Sequence, residues 1–574
     1  MLKLLLSVLG ATVLSSACTS IGVTQVPATL QTGQFEITQA PALYTNGRAA
    51  DLLYYDPENQ LMLRSGSGGE QMLSDPLEKD VRRSYVELHS DGPWRYAMWR
   101  PKLSKAIEGV GIPGDKLVYV RSSPDGGKTF GPTQRLNQKG GAFKPFMASN
   151  GRGDVYVAYT DERLGGNLNI FLNVSHDHGQ TWKKEDYKLT GTESQMAVDP
   201  SVVADGDHVY VSWMTTDAAK KFNVFVRASA DRGETWAPPV AAHISEIQPA
   251  TPLLINTAVG PLLCWGDIDA VRCTTSSDHA RSWAPSIPVA DSKGTAGLQL
   301  AMDPKGRVHL LFAKRPEEEK TKLNLFHAES VGGAPFSQPV RLSGGEPYTA
   351  STILPTMAFG DDGSALVAWV DMRYHRPVIA ANYSRDGGAT WLSDSVVLAG
   401  RKGMYHFFPT VAWAGEGVYS VAWQESDNRS NPVTTLGRTE YRVGAPGVAM
   451  SIPDAARLKQ RVDAFWSVRE ENKWAEAYNY LDPFYREKTP QDVYAKSQGN
   501  VKYYGHRIAG EPEISGTRAT VPLAYDSEVP EMSIRGKKIV VPRVEVTIPQ
   551  EWIWVDGDWY QVLRDVMGGS SLLD

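Results

Sequence analysis

Aspartate and arginine recur two residues apart at three places in this sequence. The triplets are Asp161-Glu-Arg163, Asp371-Met-Arg373 and Asp427-Asn-Arg429. Arginine binds carboxylates through two parallel hydrogen bonds. If several of these arginines lie around one opening of the folded protein, they would suit an acidic or hydroxyl-rich ligand. Alternatively, each arginine pairs with the aspartate of its own triplet and closes a loop. The triplets recur with a repeat, which favours the local ion pair, because a repeated scaffold reproduces its internal contacts in each copy.

The elements that would position these triplets are marked by a repeated motif, S-x-D-x-G-x-T-W. Three copies match at every fixed position, a fourth ends in Phe and a fifth is degenerate. In that order, the copies begin at Ser175, Ser229, Ser384, Ser123 and Ser276. Their aspartates are Asp125, Asp177, Asp231, Asp278 and Asp386. The copies lie roughly fifty residues apart, if a further copy near Ser330 has lost the motif. A fixed period of this size indicates a repeat architecture.

Each copy of the motif predicts a turn. Asp and Ser side chains accept hydrogen bonds from nearby backbone N–H groups, and Gly adopts backbone angles that other residues resist. Strand-like runs that are rich in β-branched and aromatic residues precede the turns and end at Tyr159, Trp213, Trp265, Phe312, Trp369 and Trp423. The unit therefore reads strand, turn, strand, loop, strand, motif, strand, which is one four-stranded sheet. Counting these runs gives six units, and we expect residues 35–95 to cap or complete the first.

This motif resembles the Asp box, or BNR repeat, of sialidase-like β-propellers, over roughly residues 95–445. The resemblance implies a mainly β fold in which residues 35–445 form a six-bladed propeller. Seven blades are the alternative, if residues 96–137 form a blade alone. It also implies that the five motif aspartates are structural, because Asp-box residues hold turns in that family.

The same resemblance raises the question of sialidase activity. That family places three arginines on a substrate carboxylate, a Tyr–Glu pair as nucleophile and an Asp as acid/base. The matching candidates are Arg100, Arg163 and Arg373 for the clamp, Asp161 for the acid/base, and Tyr441 with Glu440 for the nucleophile, with Tyr405 as a second tyrosine. Trp99-Arg100-Pro101 lacks the aliphatic residue of the family's F-R-I-P motif. We therefore predict a non-catalytic scaffold that binds a glycan or a protein, with an exo-α-sialidase-type glycoside hydrolase as the alternative.

The N-terminus predicts export. Residues 1–18 contain an early lysine and an apolar run, followed by Ser15-Ser-Ala-Cys18. This pattern is typical of a signal peptide, and it resembles a bacterial lipoprotein cleavage box with Ser15 where an aliphatic residue is usual. We predict that Cys18 is lipidated, rather than left as a free thiol after cleavage near Ala17, and that residues 19–34 are a tether. The predicted location is the bacterial envelope, lipid-anchored in the periplasm or outer membrane.

The composition is that of an exported protein with more than one domain. The chain has 574 residues and a net charge of −6, and we predict no nucleic-acid partner. Two further cysteines, Cys264 and Cys273, flank a predicted hairpin turn. A disulfide and a pair of buried thiols are both compatible with that spacing. No motif predicts a metal ion or another cofactor.

The sequence changes character after residue 445. Residues 446–453 are predicted to be a linker, and residues 454–481 a helix that Asp454 caps. Later strands end in a hairpin around residues 555–558, and this order of helices and strands resembles NTF2-like domains. The resemblance implies a small α+β domain over residues 454–574. Its tryptophans either pack a core or line a pocket for a small apolar ligand; we favour the core for Trp466, Trp474, Trp552 and Trp554.

Overall fold

The computed structural model describes residues 31–563 except for short gaps. The gaps are 33–40, 46–49, 57–59, 67, 75–80, 104–115, 138–140, 164–166, 192–195, 217–221, 246–251, 268–269, 292–295, 316–322, 334, 345–351, 428–433 and 535–536. The predicted signal peptide, Cys18 and Arg429 lie outside the described residues. The fold is mainly β, as predicted, and none of the described helices has the length and apolar character needed to span a bilayer.

Residues 31–442 form eight antiparallel sheets of four strands each. The strands are β1 (Gln31–Thr32), β2 (Ala42–Thr45), β3 (Ala50–Tyr55), β4 (Leu61–Arg64), β5 (Glu70–Met72), β6 (Val81–Asp91), β7 (Trp94–Leu103), β8 (Tyr119–Ser123), β9 (Gln134–Arg135), β10 (Phe143–Ser149), β11 (Val155–Asp161), β12 (Asn169–Ser175), β13 (Tyr187–Lys188), β14 (Met196–Asp205), β15 (His208–Thr216) and β16 (Phe222–Ser229). They continue with β17 (Val240–Ser245), β18 (Leu253–Thr257), β19 (Gly260–Gly266), β20 (Ala270–Thr275), β21 (Ile287–Asp291), β22 (Ala296–Met302), β23 (Arg307–Lys314), β24 (Asn324–Val331), β25 (Val340–Arg341), β26 (Thr352–Phe359), β27 (Ala365–Tyr374), β28 (Arg376–Ser384), β29 (Val396–Ala399), β30 (Tyr405–Gly415), β31 (Val418–Ser426) and β32 (Thr434–Arg442). Sheets 1 to 7 take four consecutive strands each, from β2 to β29.

Sheet 8 joins the two ends of this region. Its strand order is β1-β32-β31-β30, and Gln31 pairs with Thr435. The first strand of each sheet contacts the first strand of the next, and β2 of sheet 1 contacts β30 of sheet 8. Every residue of β11 and β12 is buried, because both faces of the sheet are covered by neighbours. Residues 31–32, which we expected in the tether, are therefore part of the fold.

The expected count of six or seven units differs from the structure, in which the described residues between 31 and 442 form eight four-stranded sheets. Residues 42–72 form the whole of sheet 1, and residues 81–135 form sheet 2. Sheet 1 contains no Asp box, and the turn between its third and fourth strands has positive φ at Gly68 and Gly69. Glycine supplies that conformation without the side chains of the motif.

The Asp boxes lie between the third and fourth strands of their sheets, as the unit predicted. In the copy at Asp231, one carboxylate oxygen accepts from the Ser229 hydroxyl at 2.7 Å and from the Thr235 N–H at 2.8 Å. The other accepts from the Thr235 hydroxyl at 2.5 Å. The hydrogen bond from Thr235 lowers the pKa of Asp231 to about 2. Asp125, Asp177, Asp278 and Asp386 accept the corresponding bonds, so all five carboxylates are occupied in holding turns.

The Asp-box tryptophan of sheet 7 reaches a pair of buried histidines in sheet 6. Trp391 Nε1 donates to His327 Nδ1 at 3.2 Å, and His327 Nε2 donates to His309 Nδ1 at 2.9 Å. Burial lowers the pKa of His309 to about 4 and that of His327 to about 3. Both rings are therefore neutral in the folded protein at neutral pH.

We expect this pair to make the protein acid-sensitive. Burial lowers the pKa of His309 in the folded protein below the ordinary value of 6.5. The stabilisation that depends on neutral rings is therefore complete above pH 6.5. It is lost as the pH falls through about 4. The urea concentration at half unfolding should decrease as the pH falls from about 6.5 to about 4. In the His327→Gln variant this decrease should be smaller. A variant curve that runs parallel to the wild-type curve at every pH would contradict the assignment.

Cys264 and Cys273 are joined by a disulfide. They face each other across β19 and β20, where their Cα atoms are directly paired. Of the two alternatives that the sequence left open, the bridge is therefore the one that the structure contains.

A C-terminal unit of helices and one sheet follows the eight sheets. Its elements are α1 (Ala455–Glu470), α2 (Trp474–Ala477), a 3-10 turn (Tyr478–Tyr480), α3 (Pro483–Lys488), α4 (Gln491–Ser497), β33 (Lys502–Ile508), β34 (Glu513–Ser515), β35 (Arg518–Ile534), β36 (Lys537–Val555) and β37 (Asp558–Gln561). The sheet has the order β33-β35-β36-β37, with β34 on β35. Asp454 caps α1 through its side chain. The single helix predicted over 454–481 was wrong in its second half, since Asn472 has a φ of 59° and ends α1.

The core of the C-terminal unit is aromatic. Helix α1 buries Leu458, Val462, Phe465 and Trp466, at the spacing of one helix face. Trp552 and Trp554 of β36 pack into the same cluster, and Trp474 is partly buried against it. These four tryptophans therefore contribute to the core, as we favoured.

Candidate functional site

The Asp161–Arg163 triplet forms a closed ion pair within sheet 3. Arg163 Nη2 lies 2.7 Å from Asp161 Oδ2, and its Nη1 lies 2.5 Å from Asp186 Oδ2. Asp186 adjoins β13, the last strand of the sheet, so the guanidinium points towards that outer strand. Asp161 is fully buried, and burial raises its pKa although Arg163 opposes the shift. An acid/base group must reach its substrate, and this carboxyl group does not reach the surface.

The Asp371–Arg373 triplet has the same arrangement in sheet 7. Arg373 Nη2 lies 2.6 Å from Asp371 Oδ2 and donates to Ser395 Oγ at 2.7 Å. Its Nη1 donates to the carbonyl oxygen of Gly344 at 3.0 Å. Ser395 precedes β29, the outer strand, so this guanidinium also points away from the first strands.

Sheet 5 contains a related ion pair without the triplet. Arg272 Nε, in β20, lies 2.9 Å from Oδ2 of Asp267, which directly follows β19. Of the third triplet, Arg429 lies outside the described residues and Asp427 is exposed. In sheets 3, 5 and 7, the arginine therefore forms an ion pair with an aspartate of the same sheet or its adjoining loop.

The remaining members of the predicted catalytic set are separate. Arg100 is in β7 of sheet 2, where Nη1 donates to the carbonyl oxygen of Ala142 at 3.4 Å. Tyr441 is buried in sheet 8, its hydroxyl donates to the carbonyl oxygen of Ala445 at 2.8 Å, and burial raises its pKa. Glu440 is exposed, and adjacent residues of a strand point to opposite faces. Among the six predicted residues, the structure joins Asp161 and Arg163 by an ion pair.

A different cluster lies where sheets 7 and 8 contact the C-terminal unit. Arg376 Nε lies 3.0 Å from Asp556 Oδ2, and its Nη1 lies 3.3 Å from Glu487 Oε1. The guanidinium also covers the rings of Tyr405 and Phe484, with its central carbon 4.7 and 5.2 Å from their centroids. Burial opposes the charge of Arg376, but the two carboxylates outweigh it and raise its pKa. We call these five residues the junction.

Tyr405 is hydrogen-bonded to a glutamate, as a nucleophilic tyrosine would be, but it lies in a buried, apolar environment. Its hydroxyl donates to Glu487 at 2.7 Å. However, Tyr405 is 1% exposed and packs against Ile553 and Val555, and burial raises its pKa. The sequence singled out Tyr405 as one of two tyrosines but carried no signal for Arg376 or Glu487. A buried phenol that is harder to ionise than usual is a structural contact rather than a nucleophile.

A cavity of about 210 Å³ opens beside the junction. It is lined by Tyr374, Arg376, Arg401, Lys402, Met450 and Trp554, among others. Arg401 lies 2.8 Å from Glu425 and is 52% exposed, and Lys402 is exposed. The cavity therefore combines aromatic walls with two solvent-exposed cations. Across the described residues, no group of three or more His, Cys, Asp or Glu side chains could hold a metal ion.

Comparison with known proteins finds solved structures of low similarity to this chain. A sialidase, the Hadza microbial sialidase Hz136, is 14% identical, with a TM-score of 0.37, and covers 68% of this chain and 74% of its own. An ulvan lyase, described as a new family of polysaccharide lyase, is 11% identical, with a TM-score of 0.44, and covers 74% and 96%. A protein of unknown function from Dyadobacter fermentans is 15% identical, with a TM-score of 0.35, and covers 53% and 95%. No curated protein matches the chain. A family model described as a BNR repeat-like domain matches residues 104–264, which include the Asp-box turns of sheets 2, 3 and 4.

Proposed function

We propose that this chain is a binding protein of the bacterial envelope, without hydrolytic activity, that takes an acidic glycan. In this proposal the eight sheets are the blades of a sialidase-like β-propeller. The contact between β2 and β30 and the pairing of β1 with β32 support a closed ring. The C-terminal unit is proposed to be an NTF2-like domain, on the support of its helices followed by an antiparallel sheet over an aromatic core.

The observation that carries the non-catalytic proposal is the pairing of Arg163 and Arg373 with their own aspartates. A clamp for a substrate carboxylate needs guanidinium groups that are free to bind it. Removing one partner of a buried, hydrogen-bonded ion pair costs about 3–5 kcal/mol, so a substrate would gain little by displacing Asp161 or Asp371. The positions of Tyr441, bonded to the carbonyl oxygen of Ala445, and of the exposed Glu440 on opposite faces of their strand support the same proposal.

The cavity beside the junction is the proposed glycan site. The partly exposed Tyr374 offers flat apolar surface to a sugar ring, while Arg401 and Lys402 offer positive charge to its carboxylate. A neutral glycan would make no use of these cations. The alternative is that an envelope protein binds to the same surface, and the glycan-binding test must distinguish the two.

The proposed location is the envelope, with Cys18 as the lipidated N-terminus of the mature chain. The Cys264–Cys273 disulfide supports it, because structural disulfides persist in oxidising compartments such as the periplasm. Metabolic labelling with a palmitate analogue tests the anchor, and Cys18→Ala should abolish the labelling and release the protein in soluble form. Labelling that survives this substitution would overturn the lipid assignment.

Turnover and binding must be measured on the same purified chain. We expect no release of 4-methylumbelliferone from its sialic-acid glycoside, together with binding of carboxylated glycans on an array. Lys402→Glu should weaken that binding about tenfold, which corresponds to about 1.4 kcal/mol. Lys305→Glu, an exposed lysine in a turn of sheet 6, is the matched control and should change nothing.

Two results would contradict the proposal. Release of the fluorophore would restore the hydrolase alternative. The second result is an array on which no glycan binds, together with capture of an envelope protein by the wild type but not by Lys402→Glu. That result would mean that the partner is a protein and not a glycan.

A further inference from the structure

Arg469, in the last turn of α1, is surrounded by aromatic rings. Its guanidinium carbon lies 4.4 Å from the ring centroid of Tyr503 and 4.5 Å from that of Trp466. The centroids of Phe465 and Trp474 lie at 5.2 and 5.6 Å. Cation–π contacts of this kind stabilise a guanidinium without neutralising its charge.

Arg469 has no acidic partner among the residues that the structure describes, and its buried Nε makes no hydrogen bond there. The other arginines of α1 differ, since Arg457 and Arg461 both lie within ion-pair distance of Asp558. The neighbouring carboxylate, Glu470, is occupied by the ring and the backbone N–H of His506. A buried donor without a partner costs about 1–3 kcal/mol, so an acceptor from outside the chain would be favourable here.

Three tyrosine side chains lie close to the Arg469 guanidinium or to the rings around it. Tyr525 stacks on Trp466 with ring centroids 4.4 Å apart, and Tyr503 meets both rings edge-on. Burial raises the pKa of Tyr494 to about 12, and the nearby charge of Arg469 acts against that rise. The hydroxyls of Tyr494, Tyr503 and Tyr525 donate to no described residue, and the side chains of Tyr503 and Tyr525 are partly exposed, whereas Tyr494 is 2% exposed. Together with Arg469, these three tyrosines and Trp474 form what we call the Arg469 cluster.

We propose that the Arg469 cluster binds a small monocarboxylate with a flat apolar body. The carboxylate would accept from the guanidinium and from tyrosine hydroxyls, while the body would lie on the half-buried faces of Trp474 and Tyr503. A single cation matches one negative charge. The aromatic walls disfavour a strongly hydrated dianion such as phosphate, because they offer it no further donors. This site is separate from the cavity beside the junction and does not depend on the glycan proposal.

The test uses the full-length chain, with benzoate as the probe and benzamide as its neutral analogue. Calorimetry and saturation-transfer NMR should show saturable benzoate binding with a Kd on the order of 1 mM. Benzamide should bind at least tenfold more weakly, since it lacks the charge. Arg469→Gln should weaken benzoate binding at least tenfold, and Arg469→Lys should restore part of it. Arg507→Gln, at an exposed arginine paired with Glu545, should leave binding unchanged.

Several outcomes would overturn this assignment. They are equal binding of benzoate and benzamide, the absence of benzoate binding, or benzoate binding that Arg469→Gln does not weaken. If Arg469→Gln does not fold, the ratio of benzoate to benzamide affinity on the unaltered chain decides the question alone.

Discussion

Replacing Arg376 with methionine is expected to lower the free energy of unfolding of the C-terminal unit by about 3 kcal/mol. Arg376 is 9% exposed on its side chain, and the substitution would leave Asp556 and Glu487 facing each other without a cation. These carboxylates retain 14% and 20% exposure, so we place the effect at the low end for a broken buried ion pair. Urea unfolding that is followed by tryptophan fluorescence would measure the loss. Faster proteolysis within residues 446–453 should accompany it.

The matched control for this prediction is Arg401→Met. Arg401 is 52% exposed and pairs only with Glu425 among the described residues, at 2.8 Å. An exposed pair contributes about 0–1 kcal/mol, so this variant should remain close to the wild type. Equal losses from the two substitutions would mean that the junction is not what holds the C-terminal unit in place. Adding Asp556→Asn and Glu487→Gln to Arg376→Met should recover part of the loss.

Trp466→Ala is the second substitution for which we expect a large effect, about 4 kcal/mol of unfolding free energy. Trp466 is 1% exposed, and its ring stacks on Tyr525 and meets the edges of Phe465 and Tyr503. Its Nε1 donates to Gln550 Oε1 at 2.9 Å, so the truncation leaves a cavity and also a buried acceptor without its donor. Urea unfolding at neutral pH is the measurement.

Trp474→Ala provides the comparison within the same cluster. Trp474 is only partly buried, and its centroid lies 6.0 Å from that of Tyr503. At about 25 cal/mol for each Å² of apolar surface, its partial burial corresponds to about 1–2 kcal/mol. If Trp474→Ala cost as much as Trp466→Ala, the core of the unit would have to extend through α2, contrary to the packing described above.

The repeated turns could be predicted from the sequence because their chemistry is local. Ser, Asp, Gly and Thr within eight residues form the hydrogen bonds that define an Asp box, so the motif predicts its own geometry. The turn of sheet 1 gives no such signal, since Gly68 and Gly69 form it by backbone freedom and leave no such pattern. The end of α1 at Asn472 was missed because the apolar spacing continues past the residue that breaks the helix.

The functional contacts were less predictable because they join distant parts of the chain. The triplets showed that Arg163 and Arg373 were present but left open whether they pair with a ligand or with their own aspartates. Arg376, Glu487 and Asp556 belong to three elements far apart in sequence, and no motif links them. Long-range pairs of this kind follow from packing, which periodicity does not encode.

The pairing of β1 with β32 has a consequence for biosynthesis. A ribosome releases Gln31 early, but its partner Thr435 emerges about four hundred residues later, and pairings across such distances form slowly. Until then β1 has no partner strand, and an unpaired strand edge invites association with other chains. Completion of the eighth sheet should therefore be the slow step of maturation, and chains truncated before residue 434 should aggregate or remain bound to chaperones.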